Sequence, residues 1–489
     1  MPTLANGSGA LRINVPKGSS LIIRNQSGVE TVTGSSAARE DAAYALGANA
    51  FVYGPQTASS DVSISTTGVL TYDIVAGDPT PASVPAAVSR SASTGQPSGL
   101  IDPATGQAVG SGGGVGFVGK AGAASVVYDM PIWRKALANA RSGIAPALLL
   151  FAGDSKTSGH GAGSGGTTAT NARAYNEAAQ VTRILNRRRI KTTMDSWLGD
   201  QNIGGLAGYT GAAGYTLYDP TITTSGTAWA PDVSASTIGG RFWIGTSGGT
   251  GTLTMTPANP FDTFVSAYAR TGGSATSLPV TINGVAQTAI DTRGPNDLGL
   301  TTFAGVTSGP VVLGAPTGGN AFGVGGYAYL SSDPGVVVLQ GGSLGAAISG
   351  FAFAGTAYNT APAMTKLAPA LTVLKCTTND INGSTPGATY AASLQTVITN
   401  VKAYGDLIVV IDTPGSNANY TNGLYDAYIA QIYALCAAAQ VNVVDLRAVT
   451  AQTYAASNAA GYNYDGTSHM TRLGYAACAE LLAEVIAAV

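Results

Sequence analysis

Two residue types in this sequence have the chemistry for nucleophilic catalysis. Ser155 ends the run 145–155, in which an apolar, strand-like stretch leads directly into Gly-Asp-Ser. A serine at the carboxyl end of a strand stands where open α/β sheets hold their ligands. Its oxygen attacks only if a base takes its proton, and histidine is the usual base near neutral pH. The chain has only two histidines, His160 and His469, so one of them is the expected base.

His469 is the preferred base because of its surroundings. It lies in a loop just before the last predicted helix, with Asp465 four residues upstream. Such a carboxylate orients an imidazole when it is the third member of a catalytic triad. His160 lies in a glycine-rich stretch five residues past Ser155 and is expected to be a loop or rim residue. The predicted triad is therefore Ser155, His469 and Asp465.

Two further segments offer donors to a developing oxyanion. Asn379 follows the apolar run 371–374, and its side-chain amide can donate to negative charge. The run 336–340 leads into a glycine-rich turn, where a backbone N–H can approach a ligand closely. Gly345 is the preferred glycine donor in this turn. Gly199, which follows an earlier strand-like run, is the alternative.

Two other motifs compete with this interpretation. Residues 341–345 read Gly-x-Ser-x-Gly, the pattern of the nucleophile elbow in α/β-hydrolases, which would make Ser343 the nucleophile. That choice would leave Ser155 and Asn379 without roles. Residues 161–166 match a dinucleotide fingerprint by letters but begin too far beyond the strand end. Neither a cofactor nor a metal is expected, since no cluster of His, Cys and carboxylates has metal-ligand spacing.

The elements that must position these residues are indicated by hydrophobic periodicity. Continuous apolar runs at 371–375 and 407–412 are typical of buried parallel strands. Helical periodicity predicts helices over 131–141, 172–189 and about 475–488. The alternation of these elements predicts an α/β domain with a parallel sheet.

Composition divides the chain into further parts. Residues 1–107 alternate short β-like runs with turns and form a predicted β-rich N-terminal domain, followed by a Gly/Ser-rich linker at 108–130. Residues 204–334 are rich in Thr, Ser and Gly and predict an inserted antiparallel β-sandwich. The α/β domain is therefore expected to be discontinuous, made of residues 131–203 and 335–489.

Charge and composition exclude several classes of partner. Charged residues are 10% of the chain and the formal net charge is −2, with no basic stripe, so nucleic acid is not expected as a partner. No apolar run reaches membrane-spanning length, and the first residues lack the features of a signal peptide. Three widely spaced cysteines indicate no disulfide framework. We expect neither membrane association nor secretion by a cleaved signal.

In type and order along the chain, these motifs resemble the conserved blocks of the SGNH/GDSL hydrolases, a family of serine esterases. Two positions depart from the family pattern: Thr377 replaces a glycine, and three residues rather than two separate Asp465 from His469. The residues that carry the resemblance are Gly153, Asp154, Ser155, Gly345, Asn379, Asp380, Asp465 and His469.

The resemblance implies both a fold and a site. The fold would be the SGNH (flavodoxin-like) three-layer α/β/α arrangement around a parallel sheet. The oxyanion hole would consist of the Ser155 N–H, the Gly345 N–H and the Asn379 amide. Gly153, Asp154 and Asp380 would support these groups.

Resemblance also bears on the substrate. SGNH enzymes with an inserted sandwich resemble carbohydrate O-acetyl esterases, and the N-terminal segment resembles bacteriophage tail proteins. The expected partner is an acetylated bacterial polysaccharide, met by a virion tail or by a protein acting otherwise outside the cell. Other tail proteins and further copies of this chain are the remaining candidate partners. Tyr218, Trp229 and Trp243 are candidates to stack on sugars, although core packing explains these aromatics equally well.

Two alternatives to hydrolysis remain at this stage. The first is a tail or receptor-binding protein that holds glycan without catalysis. The second is acyl transfer between sugars, which would use the same residues as hydrolysis.

Overall fold

The chain divides by its contacts into two compact units, Met1–Gly99 with Ala487–Val489, and Leu100–Ile486. Apart from further short strands named below, the computed structural model describes residues 124–162, 172–198, 221–232, 238, 242–343, 345–355, 360–375, 377–463 and 468–488.

The first unit contains eight described strands in two antiparallel sheets. One sheet has the order β1-β8-β3-β6-β5 and the other β2-β7-β4. The strands are β1 (Thr3–Leu4), β2 (Leu11–Val15), β3 (Ser19–Asn25), β4 (Thr31–Gly34), β5 (Tyr44–Ala45), β6 (Ala50–Tyr53), β7 (Ser60–Ser65) and β8 (Leu70–Ala76).

The second unit combines α/β and antiparallel β structure. Its first elements are β9 (Val115–Val118), β10 (Ala124–Val127), α1 (Pro131–Arg141), β11 (Ala147–Gly153), α2 (Ser155–Ser158), β12 (Thr168–Ala169), α3 (Ala172–Tyr175), α4 (Glu177–Arg187), β13 (Thr192–Thr193) and β14 (Ser196–Trp197). A series of strands follows: β15 (Thr216–Leu217), β16 (Ile222–Thr224), β17 (Trp229–Asp232), β18 (Phe242–Gly245), β19 (Leu253–Met255), β20 (Thr263–Arg270), β21 (Val280–Ile282), β22 (Val285–Ala286), β23 (Asp297–Ala304), β24 (Val311–Leu313) and β25 (Ala321–Tyr329). The last elements are β26 (Val336–Gly342), α5 (Ile348–Ala352), α6 (Thr360–Leu367), β27 (Leu371–Lys375), α7 (Thr378–Asn382), α8 (Gly387–Lys402), β28 (Asp406–Ile411), α9 (Leu424–Ala439), β29 (Asn442–Asp445), α10 (Arg447–Thr450), α11 (Tyr454–Ala459) and α12 (Arg472–Ala487).

The central sheet of this unit has the order β13-β26-β11-β27-β28-β29-β10-β9. From β13 to β29 each neighbouring pair is parallel, and β10 and β9 are added antiparallel at one edge. Numbered along the chain, the strands β26, β11, β27, β28 and β29 have the order 2-1-3-4-5 of flavodoxin-like sheets. The order reverses beside β11, so a ligand crevice is expected at the carboxyl ends of β11 and β27.

Helices cover both faces of this sheet because alternate strand residues point to opposite sides. Leu150 and Ala152 of β11 belong to a buried cluster that includes the inner faces of α8 and α9. The other layer contains α1, α4 and α12: Trp133 Nε1 donates to the carbonyl of Ile486, 2.9 Å away. Each large aliphatic side chain buried in this way contributes about 1.5–3 kcal/mol.

The structure divides the helix predicted over 172–189 into α3 and α4. Asn176 separates them, because its side-chain oxygen accepts the N–H of Ala179 at 2.9 Å and caps α4. The strand that follows α4, β13, is only two residues long and pairs with β26. The place beside β11 is therefore taken by a strand that follows about 140 residues later.

Residues between β13 and β26 contribute two antiparallel sheets, of order β17-β18-β25-β20-β23 and β16-β19-β24-β21-β22. Both sheets supply side chains to one buried cluster. Trp229 and Trp243, at 5% and 2% exposure, belong to it. They are core residues and not an exposed sugar-stacking surface, which corrects the first expectation for them.

The larger antiparallel sheet also packs against the α/β layers. Val265 and Ala267 of β20, with Leu298 of β23 and Tyr327 of β25, join the cluster of the central sheet. The alternate residues Phe264 and Tyr268 face the other antiparallel sheet. β20 is consequently buried on both faces, and the antiparallel sheets belong to the same compact unit as the central sheet.

Candidate active site

The candidate nucleophile lies in a tight turn at the end of β11. Gly153 ends the strand, opposite Gly342 of β26 and Lys375 of β27. A Cβ on Gly153 would lie 2.1 Å from Thr157 Oγ1 and 2.2 Å from the Lys375 carbonyl oxygen, so only glycine fits. Asp154 then caps α2 by accepting the N–H of Lys156 at 2.9 Å.

The candidate base contacts this serine directly. Ser155 Oγ and His469 Nε2 are 2.8 Å apart, and the two residues are only 6% and 9% exposed. Ser155 donates in this hydrogen bond when the imidazole is neutral and carries its proton on Nδ1. The pairing predicted from the sequence is therefore present, over a separation of 314 residues.

The second histidine lies against the first. The ring centroids of His160 and His469 are 4.1 Å apart in an edge-to-face arrangement. The His160 carbonyl accepts the hydroxyl of Tyr475 at 2.8 Å, and His160 is 1% exposed. His160 therefore lies in a turn, as expected of a loop residue, but it is buried and not at a rim.

The candidate oxyanion donors flank Ser155 on either side. The N–H of Ser343 donates to the Gly153 carbonyl at 2.8 Å, which brings the glycine turn after β26 beside the nucleophile. Gly345 has φ +75° in this turn and is exposed. Asn379 Nδ2 donates to the Ala346 carbonyl at 2.9 Å. A side-chain amide has two N–H donors, so one of them remains for an oxyanion.

Asp380 connects α7, which carries Asn379, to the start of α5, which follows the glycine turn. Its Oδ2 accepts the N–H of Ile348 at 2.8 Å and so holds the start of α5. Burial raises the pKa of this carboxyl. Ser343, the nucleophile of the competing elbow motif, uses its N–H to hold the turn, whereas the His469 imidazole bonds to Ser155.

Several predicted residues lie outside the described part of the chain. Asp465, Gly199 and Tyr218 are in this group. The role of Asp465 as third triad member therefore stays a prediction, as does the choice between Gly345 and Gly199.

A buried ionic cluster, which was not predicted, lies behind the nucleophile. Lys156 Nζ is 2.7 Å from Asp412 Oδ2, and Lys375 Nζ is 2.9 Å from Glu177 Oε2. With Asp154 these residues form a group of three carboxyls and two ammonium groups, each at most 1% exposed. Isolated charges are expensive to bury, so these groups must compensate one another.

The charges shift one another's pKa values. Burial raises the pKa of Asp154 to about 6, and the carboxylate of Asp412 adds to this, against the opposing effect of Lys156. Burial also raises the pKa of Glu177. For Asp412 the effect of burial is outweighed by Lys156 and Lys375, which together lower its pKa. Asp154 is therefore expected to gain a proton as the pH falls through about 6.

Asp154→Asn should alter the pH dependence of stability. The unfolded carboxyl has a pKa of 3.8 and the folded one of about 6, so between these values the folded state binds the extra proton. Stability of the wild type should then fall as pH rises from about 4 to 6 relative to the asparagine variant. Denaturant unfolding of both proteins at pH 4, 5, 6 and 7 measures this difference. A difference that does not change with pH would contradict the assignment.

A cleft of about 340 Å³ is lined in part by residues that adjoin the candidate site in sequence. Ser468 of this cleft directly precedes His469, and Asn382 lies one helical turn beyond Asn379 on α7. The volume is within the range of small-ligand pockets, roughly 300–1,000 Å³. The lining residues, all uncharged and four of them with polar side chains, are Asn382, Gly415, Ser416, Asn417 and Ser468.

The described residues contain neither a membrane-spanning helix nor a metal site. None of their helices is both long and apolar enough to span a membrane. No group of three or more His, Cys, Asp or Glu side chains among them is arranged to hold a metal ion.

Comparison with known proteins gives a fold but no sequence relative. No protein-family model and no curated protein matches the sequence. Among solved structures, a peptidoglycan O-acetylesterase is similar with a TM-score of 0.53 and 16% identity, over 72% of this chain and 94% of that protein.

Other similar structures align over shorter parts of the chain. A lipolytic protein of the G-D-S-L family from Desulfitobacterium hafniense has a TM-score of 0.27 and 11% identity, over 31% of this chain and 81% of that protein. A carbohydrate esterase of family 3 from Talaromyces cellulolyticus has a TM-score of 0.24 and 19% identity, over 32% of this chain and 72% of that protein. Over 72% of its length this chain has the fold of a peptidoglycan O-acetylesterase.

Proposed function

We propose that this protein is a serine esterase that hydrolyses O-acetyl or other short acyl esters on a bacterial surface polysaccharide. The observation that carries the proposal is the 2.8 Å contact between Ser155 Oγ and His469 Nε2, at the switch point of a flavodoxin-like sheet. Asp465 completes the triad in this proposal. The similarity in fold to a peptidoglycan O-acetylesterase supports the choice of an esterified glycan.

The proposed reaction follows the usual course of acyl transfer to serine. His469 Nε2 takes the proton of Ser155 as its Oγ attacks the ester carbonyl. The N–H groups of Ser155 and Gly345 and the free N–H of Asn379 receive the oxyanion. The imidazolium then protonates the departing sugar oxygen. Water, deprotonated by the same imidazole, releases acetate from the acyl-serine and regenerates the enzyme.

The inserted region has a supporting role in this proposal. Residues 204–334 would form a carbohydrate-binding-like β-sandwich within the hydrolase domain. Residues 1–107 would attach the protein to a phage tail, so that the esterase acts outside the host cell. The packing of the antiparallel sheets against the α/β layers supports a fixed placement of this region within the hydrolase domain.

Acetate release from a panel of O-acetylated capsules, O-antigens and peptidoglycan tests the function. Each polymer is compared with the same polymer after alkaline deacetylation. Release of stoichiometric acetate from one class of polymer is the expected result. Tight binding without acetate release would favour the glycan-binding alternative, and acetylated acceptor sugars would favour acyl transfer.

The polar cleft leads to a further prediction about the leaving group. Asn382 and Ser416 are both exposed. The double change Asn382→Leu with Ser416→Val removes their hydrogen-bonding groups and leaves Ser155 and His469 unchanged. We expect kcat/KM for an acetylated oligosaccharide to fall roughly tenfold more than that for p-nitrophenyl acetate, because only the sugar uses those groups.

Gln395→Leu is the matched control for this change. It replaces an exposed amide about 12 Å along α8 from the start of that helix. The ratio of the two kcat/KM values should remain that of the wild type in this control. Equal losses on both substrates in the cleft variant would contradict sugar binding there.

A further inference from the structure

The carboxylate of Asp412 contacts side chains from the two segments that carry Ser155 and Asn379. Its Oδ2 lies 2.7 Å from Lys156 Nζ and accepts the Thr378 hydroxyl at 3.1 Å. Lys156 directly follows Ser155, and Thr378 directly precedes Asn379. One buried oxygen atom thus contacts the neighbours of both the nucleophile and the candidate oxyanion donor.

The rest of the nucleophile turn has few other connections of this kind. Helix α2 has only four residues, which is too short to fix the direction of a side chain by its own hydrogen bonds. The Ser155 side chain bonds to His469, and the backbone of the turn is held by bonds such as the Asp154 N–H donating to the Lys375 carbonyl at 3.3 Å. Lys156 reaches a third strand end with its side chain, where Nζ also donates to the Thr413 carbonyl at 3.2 Å.

Asp412 is itself held rigidly at the end of β28. Its Oδ1 accepts the N–H of Thr413 at 2.8 Å, and its residue is 1% exposed. Lys156 is fully buried and Thr378 is 2% exposed. Leaving any one of these three buried groups unpaired is unfavourable, so a change in one is expected to displace the others.

From this geometry we propose that Asp412 is a positioning residue, which through Lys156 and Thr378 sets the distance between Ser155 and Asn379. This inference rests on the proposed esterase function. It predicts a defect in kcat, since a displacement of about 1 Å between reacting groups can reduce the rate by roughly 10²-fold. Substrate binding before the attack should change little.

The test uses a double variant that keeps the interior compensated. Replacing a buried ion pair with apolar residues of similar size is often neutral for stability, so Lys156→Met/Asp412→Leu is expected to fold. We expect kcat for p-nitrophenyl acetate to fall roughly 10- to 100-fold, with KM changed less than about threefold. Values of kcat within twofold of wild type in the folded double variant would overturn the proposal.

Coupling to Asn379 separates positioning from a general structural effect. Asn379→Ala alone should reduce kcat by about 10²–10³-fold. When Asn379→Ala is combined with the double variant, the loss of kcat in the triple variant should be at least about fivefold smaller than the product of the two separate losses. The reason is that the position of an absent amide no longer matters. Strict multiplication of the two losses would contradict the proposal.

Two further variants complete the design. Arg447→Met/Asp445→Leu is the matched control, because it removes a buried ion pair at the end of the adjacent strand, where Asp445 pairs in register with Ile411; its kcat should be that of the wild type. Thr378→Val removes a single hydroxyl and decides the question if the double variant does not fold. A kcat reduced about three- to tenfold supports the proposal, and an unchanged kcat overturns it.

Failure of this inference is distinguishable from failure of the proposed function. If Ser155→Ala retains full activity, the esterase mechanism itself is wrong. If Ser155→Ala is inactive while the Asp412 variants keep wild-type kcat, only the positioning role is wrong.

Discussion

Ser155→Ala is expected to lower kcat for ester hydrolysis by on the order of 10⁴- to 10⁶-fold. The change removes the Oγ atom that lies 2.8 Å from His469 Nε2. It leaves the backbone N–H of residue 155 and the Asp154 cap unchanged, so the oxyanion donors and the fold should persist. Initial rates with p-nitrophenyl acetate and acetate release from an active polysaccharide measure the loss. Equal turnover by variant and wild type would falsify the mechanism.

Ser343→Ala provides the matched control for this prediction. Ser343 is the serine of the competing motif, and it holds the glycine turn through its N–H, which alanine also has. Its activity should therefore remain within a few fold of wild type. A fluorophosphonate probe should label wild type and Ser343→Ala but not Ser155→Ala. Loss of activity and labelling only in Ser343→Ala would mean that Ser343, and not Ser155, is the nucleophile.

Local sequence signals predicted the parts of the site that lie at strand ends. Ser155 and Asn379 were identified because each follows a continuous apolar run, and the structure has β11 and β27 ending immediately before their turns. His469 was identified by the scarcity of histidine, and its contact with Ser155 is now observed. Helix α1 has the predicted bounds, Pro131–Arg141, since proline favours the first turn. The catalytic roles of these residues stay predictions.

The buried ionic cluster was missed because its signal is tertiary. A lysine is normally an exposed residue, and its burial depends on a partner that is distant in sequence, here 198 residues for Lys375 and Glu177. For Asp412 a signal did exist: it follows the apolar run of β28 just as Ser155 and Asn379 follow theirs. A rule that examines the polar residue after each parallel strand would have selected it.

The neighbour of β11 was also beyond local prediction. Thr192–Thr193 has the sequence character of a strand, but it is too short to fill the place beside β11. The apolar β26 pairs with β11 over seven residues and takes that place instead. Periodicity identifies strands, whereas their order in the sheet depends on competition for the same edge.

Lys375→Met is expected to lower the free energy of unfolding by about 3–5 kcal/mol. Methionine matches the lysine stem in size but leaves the carboxylate of Glu177 buried without its ammonium partner, which lies 2.9 Å away. Lys366→Met is the matched control, because it breaks an exposed ion pair with Asp297 at 3.2 Å. Its effect should be at most about 1 kcal/mol. Denaturant unfolding at pH 7 measures both changes.

The pH dependence of the Lys375→Met defect identifies its cause. Burial already raises the folded-state pKa of Glu177, and without the ammonium group of Lys375, which opposes this effect, that pKa rises further. The folded variant then binds a proton that the unfolded chain releases, so its stability falls relative to wild type as pH rises from about 4. Adding Glu177→Met removes the unpaired charge and should restore most of the lost stability. A defect that is independent of pH, or that the second change does not repair, would mean that lost packing and not the unpaired carboxylate destabilises the protein.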